Sequence, residues 1–474
     1  MKRNENNKII LSTAAVRSGI LLIVLLCGVY TNAQTINQKI KTAFQYFEND
    51  NQLKHAISSL YVIDANTGEV LFDKNSQIGL TPASTQKVIT TVTAYELLGN
   101  DFRYNTSFAI DTILHTVYIL PSGDPTFGST RWEQTKPNAI MKRVVNAIPL
   151  KKTHDYTIVV DKSKWETNEI PDGWIWQDMA NYYGAGAGKL IWRENQFDVL
   201  LQSGPKLGDT VKVTGTNPSL FGKYTLKNMV TAAVSGSGDN AYFYFPLRSS
   251  EGIIKGTIPV NQNRFTVSGS LPSGSDQFIN ELSDTLVKLQ LMQSSAINQS
   301  IVLADNEQKR LNIFHTETSP PLDSIIYWFN KKSINLYGEA LVKTIALKKN
   351  GYASTDTGTA LIQKFWKEKG IDPSELNIVD GSGLSPLNRV TTHAQVEVLK
   401  YAKTKSWFKS FYNALPIYNN ISMKSGTIRN TKGFCGYYTA ANGNSYIFSF
   451  LVNNYTGSTN AIVRKMYLVL DVLK

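Results

Sequence analysis

The alternation of apolar and polar residues predicts different elements along the chain. The run "HAISSLYVIDANTGEVLFDKNS" contains two β-rich stretches around an Asn-Thr-Gly turn, which predicts a hairpin. In the next segment, apolar residues recur at spacings of three and four, which predicts a helix that begins after Thr81 and ends at Gly99. The residues predicted to face the core are Val88, Val92, Tyr95 and Leu98.

The middle of the chain has a different pattern. From about residue 101 to 290, strand-like runs such as "YTIVVD" and "FDVLLQ" alternate with turn residues, and helical periodicity is scarce. The segment "PPLDSIIYWFNKKSINLYGEALVKTIALKKNG" then predicts two helices with a polar break at "KKSIN". The end predicts antiparallel strands that turn at Asn442-Gly443, followed by a last helix. This order predicts an α+β fold, in which an antiparallel sheet is flanked by helices and interrupted by mainly β insertions.

The first 33 residues form a separate segment. A basic leader precedes the apolar run "GILLIVLLCGVY", which is too short to span a bilayer comfortably, and small Ala33 stands at a suitable cleavage point. We interpret residues 1–33 as a signal peptide that is cleaved near Ala33. The protein is therefore expected to be exported to the periplasm or cell envelope of a bacterium, where nucleic acid is not an expected partner.

Charge, cysteine and histidine content narrow the function classes. The net charge of +12 suits contact with an anionic polymer such as cell wall, although solubility alone also explains it. Cys27 lies in the leader, so that Cys435 remains without an intramolecular partner. The five histidines are scattered without metal-ligand spacing, which argues against a zinc peptidase and predicts no metal site.

Three short motifs with chemical potential follow one another along the chain. Ser84–Lys87 is a Ser-x-x-Lys pair at the start of a predicted helix, Ser333–Asn335 lies in the break between two helices, and Lys424–Gly426 lies on a predicted strand. The first two patterns also occur elsewhere, for example at Ser203–Lys206 and Ser458–Asn460. Their order and context therefore carry more weight than any single match.

The residue types suit attack on an amide bond. A serine hydroxyl needs a base at neutral pH, and Lys87 serves Ser84 as a base only if burial and neighbouring cations such as Lys424 lower its pKa. Ser333 can pass protons toward the leaving group, and Asn335 can hold a substrate amide.

Lys424 also suits a second task, which is binding of a C-terminal carboxylate together with the hydroxyls of Ser425 and Thr427. The backbone N–H groups of Ser84 and Thr427 are candidates for an oxyanion hole.

With these motifs, the chain resembles the class C penicillin-binding proteins, a family of D-alanyl-D-alanine carboxypeptidases and endopeptidases. "TPASTQK", "KKSINLYGEAL", "IVDGSGLSPLNRVT" and "MKSGT" are similar to its characteristic runs, and the resemblance covers nearly all of the chain after the leader. It implies a penicillin-binding-protein/β-lactamase-like fold with a discontinuous catalytic domain. The expected divisions are residues 34–100 and 292–474 for the catalytic domain, 101–160 and 255–291 for inserted domain II, and 161–254 for inserted domain III.

The resemblance also implies the site. Ser84, Lys87, Ser333, Asn335 and Lys424 are the expected catalytic residues. Ser425, Gly426, Thr427 and Asp161 are the expected substrate-binding residues. Asp161, at the end of "IVVD", resembles a carboxylate that an inserted domain offers to an ammonium group on the third residue of the substrate, although a turn-capping role is the alternative. The loop "GAGAGKL", with Lys189, departs from the family pattern.

The expected function is hydrolysis of the bond between the last two D-alanines of peptidoglycan stem peptides, or of D-alanyl cross-links, through an acyl-serine. β-Lactam antibiotics are the expected covalent inhibitors, and neither a metal, an organic cofactor nor an obligate protein partner is expected. Two alternatives share the motifs: a β-lactamase, and a cell-wall-binding protein that has lost catalysis. A β-lactamase has no evident use for an insertion of this length.

Overall fold

The computed structural model of the chain describes residues 34–149, 156–220, 224–246, 249–293 and 298–474. The expected signal peptide at residues 1–33 lies outside the described residues. None of the described helices has both the length and the apolar composition needed to cross a membrane.

A six-stranded antiparallel sheet joins the two ends of the described chain. The predicted hairpin provides its first two strands, and Gly68 occupies the turn with φ +78°. The first hairpin strand also pairs with Ser445–Asn453, so that N-terminal and C-terminal segments share one sheet. The strand order is Ile417–Tyr418, Ile421–Ile428, Thr431–Thr439, Ser445–Asn453, Ile57–Asp64 and Val70–Lys74.

Helices cover both faces of this sheet. A hydrophobic cluster lies on each face. Because successive strand residues point to opposite faces, Leu60 packs in the first of these clusters and Tyr61 in the second. The first cluster contains the helices Ile36–Glu48 and Thr459–Leu470. The second contains Lys87–Leu98, Leu322–Lys331, Asn335–Asn350, Thr355–Glu368, Thr392–Lys403 and Phe408–Ala414. The predicted antiparallel sheet flanked by helices is confirmed, as are the helix end at Gly99 and the break between the two helices around "KKSIN".

The first inserted unit is a five-stranded mixed sheet with helices. Its strand order is Asn298–Ile301, Thr157–Asp161, Thr116–Leu120, Asn105–Asp111 and Asn312–Thr318. Pro137–Ala147 and Gly274–Lys288 pack against it through a core of their own, so that this unit has more helix than the weak periodicity indicated. Its two outer strands fall within 292–474, the range that was expected to be catalytic. They belong to this unit because they pair with strands that lie 140 or more residues earlier in the chain.

The second inserted unit has two three-stranded sheets around a shared core. One sheet has the order Thr225–Ala233, Glu251–Pro259 and Asn240–Tyr244, and the other has Phe265–Ser270, Gln196–Gln202 and Lys212–Asn217. Strand pairing therefore places most of 251–270 with this unit, whereas 255–291 was expected to belong to domain II. Further short elements are the helices Trp176–Met179 and Asp305–Gln308 and the strand pair Leu376–Asn377 and Arg389–Val390.

Candidate active site

Ser84 lies in a tight turn directly before a buried helix. The turn Ala83–Gln86 is 3₁₀ and has no side-chain cap, and the α-helix begins only at Lys87, later than the start that was expected directly after Thr81. Ala83 has φ +47°, a left-handed conformation that is uncommon for a residue with a side chain. Gly383 packs on the Ala83 carbonyl, where any side chain at Gly383 would collide. The turn is thereby held in a strained shape that leaves Ser84 half-buried.

Three hydrogen-bonding partners surround the amine of Lys87. Its Nζ lies 2.7 Å from Asn335 Oδ1, 2.7 Å from the Ser382 carbonyl and 2.9 Å from Ser84 Oγ. A neutral amine has two N–H donors and one lone pair. The two carbonyl oxygens can only accept, so they bind both N–H groups. The lone pair then remains for the hydroxyl proton of Ser84.

The surroundings of Lys87 favour this neutral form. The side chain is fully buried, and its Nζ lies 5.7 Å from the centre of the Phe329 ring. Burial lowers the pKa of Lys87 to about 7, although the charges of Asp380 and Glu339 act in the opposite direction. Burial and, to a smaller extent, the charge of Asp380 together raise the pKa of Glu339 to about 8, so the charge of Glu339 that opposes the lowering is small at neutral pH. The expected lowering of the Lys87 pKa by burial is therefore present, whereas neighbouring cations such as Lys424, which were also expected to lower it, are not among its causes, and the nearby carboxyl groups oppose it.

Asn335 connects the site to the inserted region. It is the first residue of the helix Asn335–Asn350, and its Nδ2 donates to the Tyr183 carbonyl at 2.8 Å. This contact fixes which end of the amide faces Lys87. Ser333, two residues earlier, has φ +56° in the break between the helices.

Lys424 and Ser333 form the opposite side of the site. Lys424 Nζ donates to Ser333 Oγ at 3.0 Å and to the Ser425 carbonyl at 2.8 Å. Burial lowers the pKa of Lys424 well below its usual value, and the positive charge of Lys87 lowers it further. The two motif lysines therefore compete for protons in a shared environment.

The strand Ile421–Ile428 packs closely against the Ser84 turn. A Cβ atom on Gly426 would lie 2.9 Å from the Ser84 nitrogen and 2.5 Å from the Pro82 carbonyl, so this position requires glycine. Ser425 is half-buried, and Thr427 is exposed at the edge of the site.

Asp161 does not offer a free carboxylate. It is 1% exposed and pairs with Lys189 at 2.6 Å, while Ser163, Leu303 and Gln308 donate to the same carboxylate. Burial alone would raise its pKa, but the hydrogen bond from Lys189 lowers it below the ordinary value. An ammonium group of the protein thus occupies the place that was expected for the ammonium group of a substrate. The geometry agrees with the structural alternative.

Two hydrogen bonds in the site are accepted by backbone carbonyls, those of Ser382 and Tyr183. Every residue has such a carbonyl, so the sequence does not indicate these contacts. Ser382 belongs to the "DGSGLS" run, whose turn is built around Asp380. The Asp380 carboxylate accepts hydrogen bonds from the backbone of Gly383 and Ser385 and from the indole of Trp174. The run is therefore both a tight turn and a border of the site.

Metal ligands are not clustered in the described residues. Within the ranges that the structure describes, no group of three or more His, Cys, Asp or Glu side chains could hold a metal ion.

Comparison with known proteins gives consistent matches. The family model described as the D-Ala-D-Ala carboxypeptidase 3 (S13) family matches residues 40–420. The "D-alanyl-D-alanine carboxypeptidase" of Actinomadura sp. (strain R39) is 22% identical over 447 residues, which cover 86% of this chain and 80% of that protein. "D-alanyl-D-alanine carboxypeptidase DacB" of Haemophilus influenzae is 23% identical over 440 residues, which cover 85% of this chain and 87% of that protein.

A solved structure shows the same fold. The crystal structure of penicillin binding protein 4 (dacB) from Haemophilus influenzae matches with a TM-score of 0.71 at 19% sequence identity, over 92% of this chain and 99% of that chain. The same protein has also been solved "complexed with novel beta-lactam", with a TM-score of 0.69 to this chain, at 17% identity and with the same coverage. The predicted fold class is thereby confirmed.

Proposed function

Because the chain belongs to the D-Ala-D-Ala carboxypeptidase 3 (S13) family of serine peptidases, we propose that it hydrolyses the bond between the last two D-alanines of peptidoglycan stem peptides through an acyl-Ser84 intermediate. One observation carries the mechanism. The two N–H groups of a neutral Lys87 are bound by Asn335 and Ser382, so that its lone pair faces Ser84. This arrangement supports Lys87 as the base.

The steps follow from this geometry. Lys87 takes the hydroxyl proton as Ser84 Oγ bonds to the carbonyl carbon of the penultimate D-alanine, and the backbone N–H groups of Ser84 and Thr427 stabilise the oxyanion. As the C–N bond breaks, Ser333 passes a proton to the leaving amine and is reprotonated from Lys424, which in turn takes up the proton that Lys87 received from Ser84, so that Lys87 is neutral again. Water then attacks the ester, with Lys87 again acting as base, and releases the shortened peptide.

Substrate binding uses the strand beside the nucleophile. The hydroxyls of Ser425 and Thr427 bind the C-terminal carboxylate beside Lys424, Gly426 allows the strand to approach Ser84, and Asn335 binds a substrate amide. The same chemistry acts on D-alanyl cross-links, so endopeptidase activity is part of the proposal. The enzyme acts in the periplasm or cell envelope after cleavage of its leader near Ala33. The β-lactam complex of the Haemophilus influenzae relative supports β-lactams as acylating inhibitors.

Labelling with a fluorescent penicillin tests the proposal. The wild-type protein should form a lasting adduct and should release D-alanine from a D-Ala-D-Ala peptide, and Ser84→Ala should do neither while keeping its unfolding temperature. Ser203→Ala is the matched control, because it alters another Ser-x-x-Lys pattern, where the Ser203 hydroxyl donates to the Pro259 carbonyl at 2.6 Å and Lys206 is exposed.

The outcomes separate the alternatives. An adduct that turns over rapidly would indicate a β-lactamase, and the absence of any adduct would indicate a wall-binding protein. An adduct on Ser84→Ala would show that the nucleophile is assigned to the wrong residue.

A further inference from the structure

A third buried lysine lies beside the site, outside the three motifs. Lys432 is on the strand Thr431–Thr439, directly opposite Thr427 on the neighbouring strand, and its side chain is on the same face of the sheet. Its Nζ donates to Thr427 Oγ1 at 2.8 Å. The ring of Phe434 covers another side of the ammonium, 4.6 Å away. Lys432 is only 7% exposed.

The charge of Lys432 has no counter-ion in the described part of the chain. No carboxylate there lies within 4 Å of its ammonium, and burial lowers the pKa of Lys432 to about 8. A buried cation without an anion costs free energy, so its retention calls for a partner from outside the protein. Thr427, whose hydroxyl it contacts, is an exposed residue, which makes Thr427 the point of access for that partner.

Lys424 is poorly suited to bind a carboxylate alone. Its Nζ is committed to Ser333 and to the Ser425 carbonyl, and both burial and the charge of Lys87 favour its neutral form. A neutral amine is a weak partner for an anion. Lys432 does not point at the nucleophile turn. The next residue, Gly433, faces Thr85 in that turn, and successive strand residues point to opposite faces, so the side chain of Lys432 lies on the other face of the sheet.

The contact with Thr427 suggests how Lys432 acts. Because the ammonium donates to a lone pair of the hydroxyl, the hydroxyl proton of Thr427 stays free to be donated to a ligand at this exposed edge of the site. A charge at 2.8 Å also strengthens that O–H as a donor.

We propose that Lys432 is a specificity-determining positioning residue that, through Thr427, selects substrates with a free C-terminal carboxylate, while Lys424 serves mainly in proton transfer. This assignment rests on the function proposed above. Under this assignment Lys432 selects the carboxylate and Lys424 transfers protons, and the three motifs alone do not indicate this separation of roles.

A pair of matched substrates tests the assignment. The first is an acylated tripeptide that ends in D-Ala-D-Ala with a free carboxylate, and the second is the same peptide with a C-terminal amide. Lys432→Met keeps the length of the side chain without its charge. It should lower kcat/KM for the acid by about 10- to 100-fold, mainly through KM, and should change the amide less than threefold. Lys432→Arg should restore most of the preference for the acid.

Two further variants sharpen the test. Thr427→Val should lose the same preference, and adding Lys432→Met to it should cost little more, because both changes interrupt one path. Lys255→Met is the control for a lysine above an aromatic ring, since Lys255 Nζ lies 4.4 Å from the centre of the Tyr244 ring in the inserted region. It should leave both substrates unaffected.

Thermal unfolding distinguishes binding from a structural role. Lys432→Met should be at least as stable as the wild type, because it removes a buried charge without a counter-ion. Equal losses on acid and amide, or no loss on either, would overturn the role of Lys432, provided that the wild type cleaves the acid. If the wild type cleaves neither peptide, the proposed function fails instead. A penicillin acylation rate that is unchanged in Lys432→Met would also count against the assignment, because penicillin has a carboxylate.

Discussion

The neutral form of Lys87 makes acylation depend on pH in a defined direction. The pKa of Lys87 is lowered from 10.5 to about 7, chiefly by burial. Only the neutral amine can accept the Ser84 proton, so the acylation rate should rise with pH through about 7 and then level off.

The structure gives the size of this effect. With a pKa of about 7, the neutral fraction grows from about 1% at pH 5 to about 90% at pH 8, which predicts an increase of nearly two orders of magnitude. With the ordinary pKa of 10.5, only about 0.03% would be neutral at pH 7. Burial therefore increases the available base by roughly three orders of magnitude at neutral pH, which corresponds to about 4 kcal/mol.

The assay is the second-order rate of penicillin acylation between pH 5 and 9, measured by rapid quenching and gel fluorescence. Lys424→Arg is the control, because arginine keeps a fixed charge and cannot act as a base. The rising limb should persist in this variant and move to lower pH, since a permanent cation disfavours protonation of Lys87. A flat wild-type profile, or a limb that disappears in Lys424→Arg, would refute the assignment of Lys87 as the base.

Three further predictions concern single positions. Lys87→Arg should abolish acylation because guanidinium stays protonated, whereas Lys424→Arg should retain part of the activity; penicillin labelling and D-alanine release measure both. Gly426→Ala should lower the acylation rate at least tenfold, since its Cβ would lie 2.9 Å from the Ser84 nitrogen, whereas Gly215→Ala, in ordinary contact at 3.9 Å, should not. Asp161→Asn should lower the free energy of unfolding by about 2–4 kcal/mol, because it leaves a buried ammonium unpaired, and urea titration measures the loss.

Each of these predictions has a result that contradicts it. Equal losses of activity in Lys87→Arg and Lys424→Arg would count against a base role for Lys87. Unchanged acylation in Gly426→Ala would mean that the strand can move away from the Ser84 turn without cost. A selective loss of kcat/KM in Asp161→Asn for peptides with a side-chain amine, without loss of stability, would restore the substrate-binding role.

The sequence predicted the central part of the fold because its signals are local. Ser84 and Lys87 stand one helical turn apart, and Ser333 and Asn335 flank a break between two helices. Each motif could therefore be assigned to an element before the elements were assembled. The structure brings these residues together, and their chemical roles stay predictions.

The remaining features depend on contacts between distant segments. The carbonyls of Ser382 and Tyr183 accept hydrogen bonds regardless of side-chain type, so no sequence pattern indicates them. The ion pair of Asp161 with Lys189 joins residues 28 positions apart across two elements. The periodicity of a segment also does not reveal which distant strand it pairs with. The expected domain divisions near residues 255 and 292 therefore differ from the boundaries that the sheets define.

The Tyr183 carbonyl has a consequence for when the protein first becomes reactive. Asn335, which orients Lys87, is itself oriented by this carbonyl, and Lys87 also needs a carbonyl from a third segment at Ser382. A newly made chain in which the insertion has not yet docked would hold Ser84 and Lys87 next to each other on one turn of helix without the groups that aim the amine. Such a folding intermediate would be chemically inert toward the cell wall and toward antibiotics. Covalent labelling would then count only completely folded molecules.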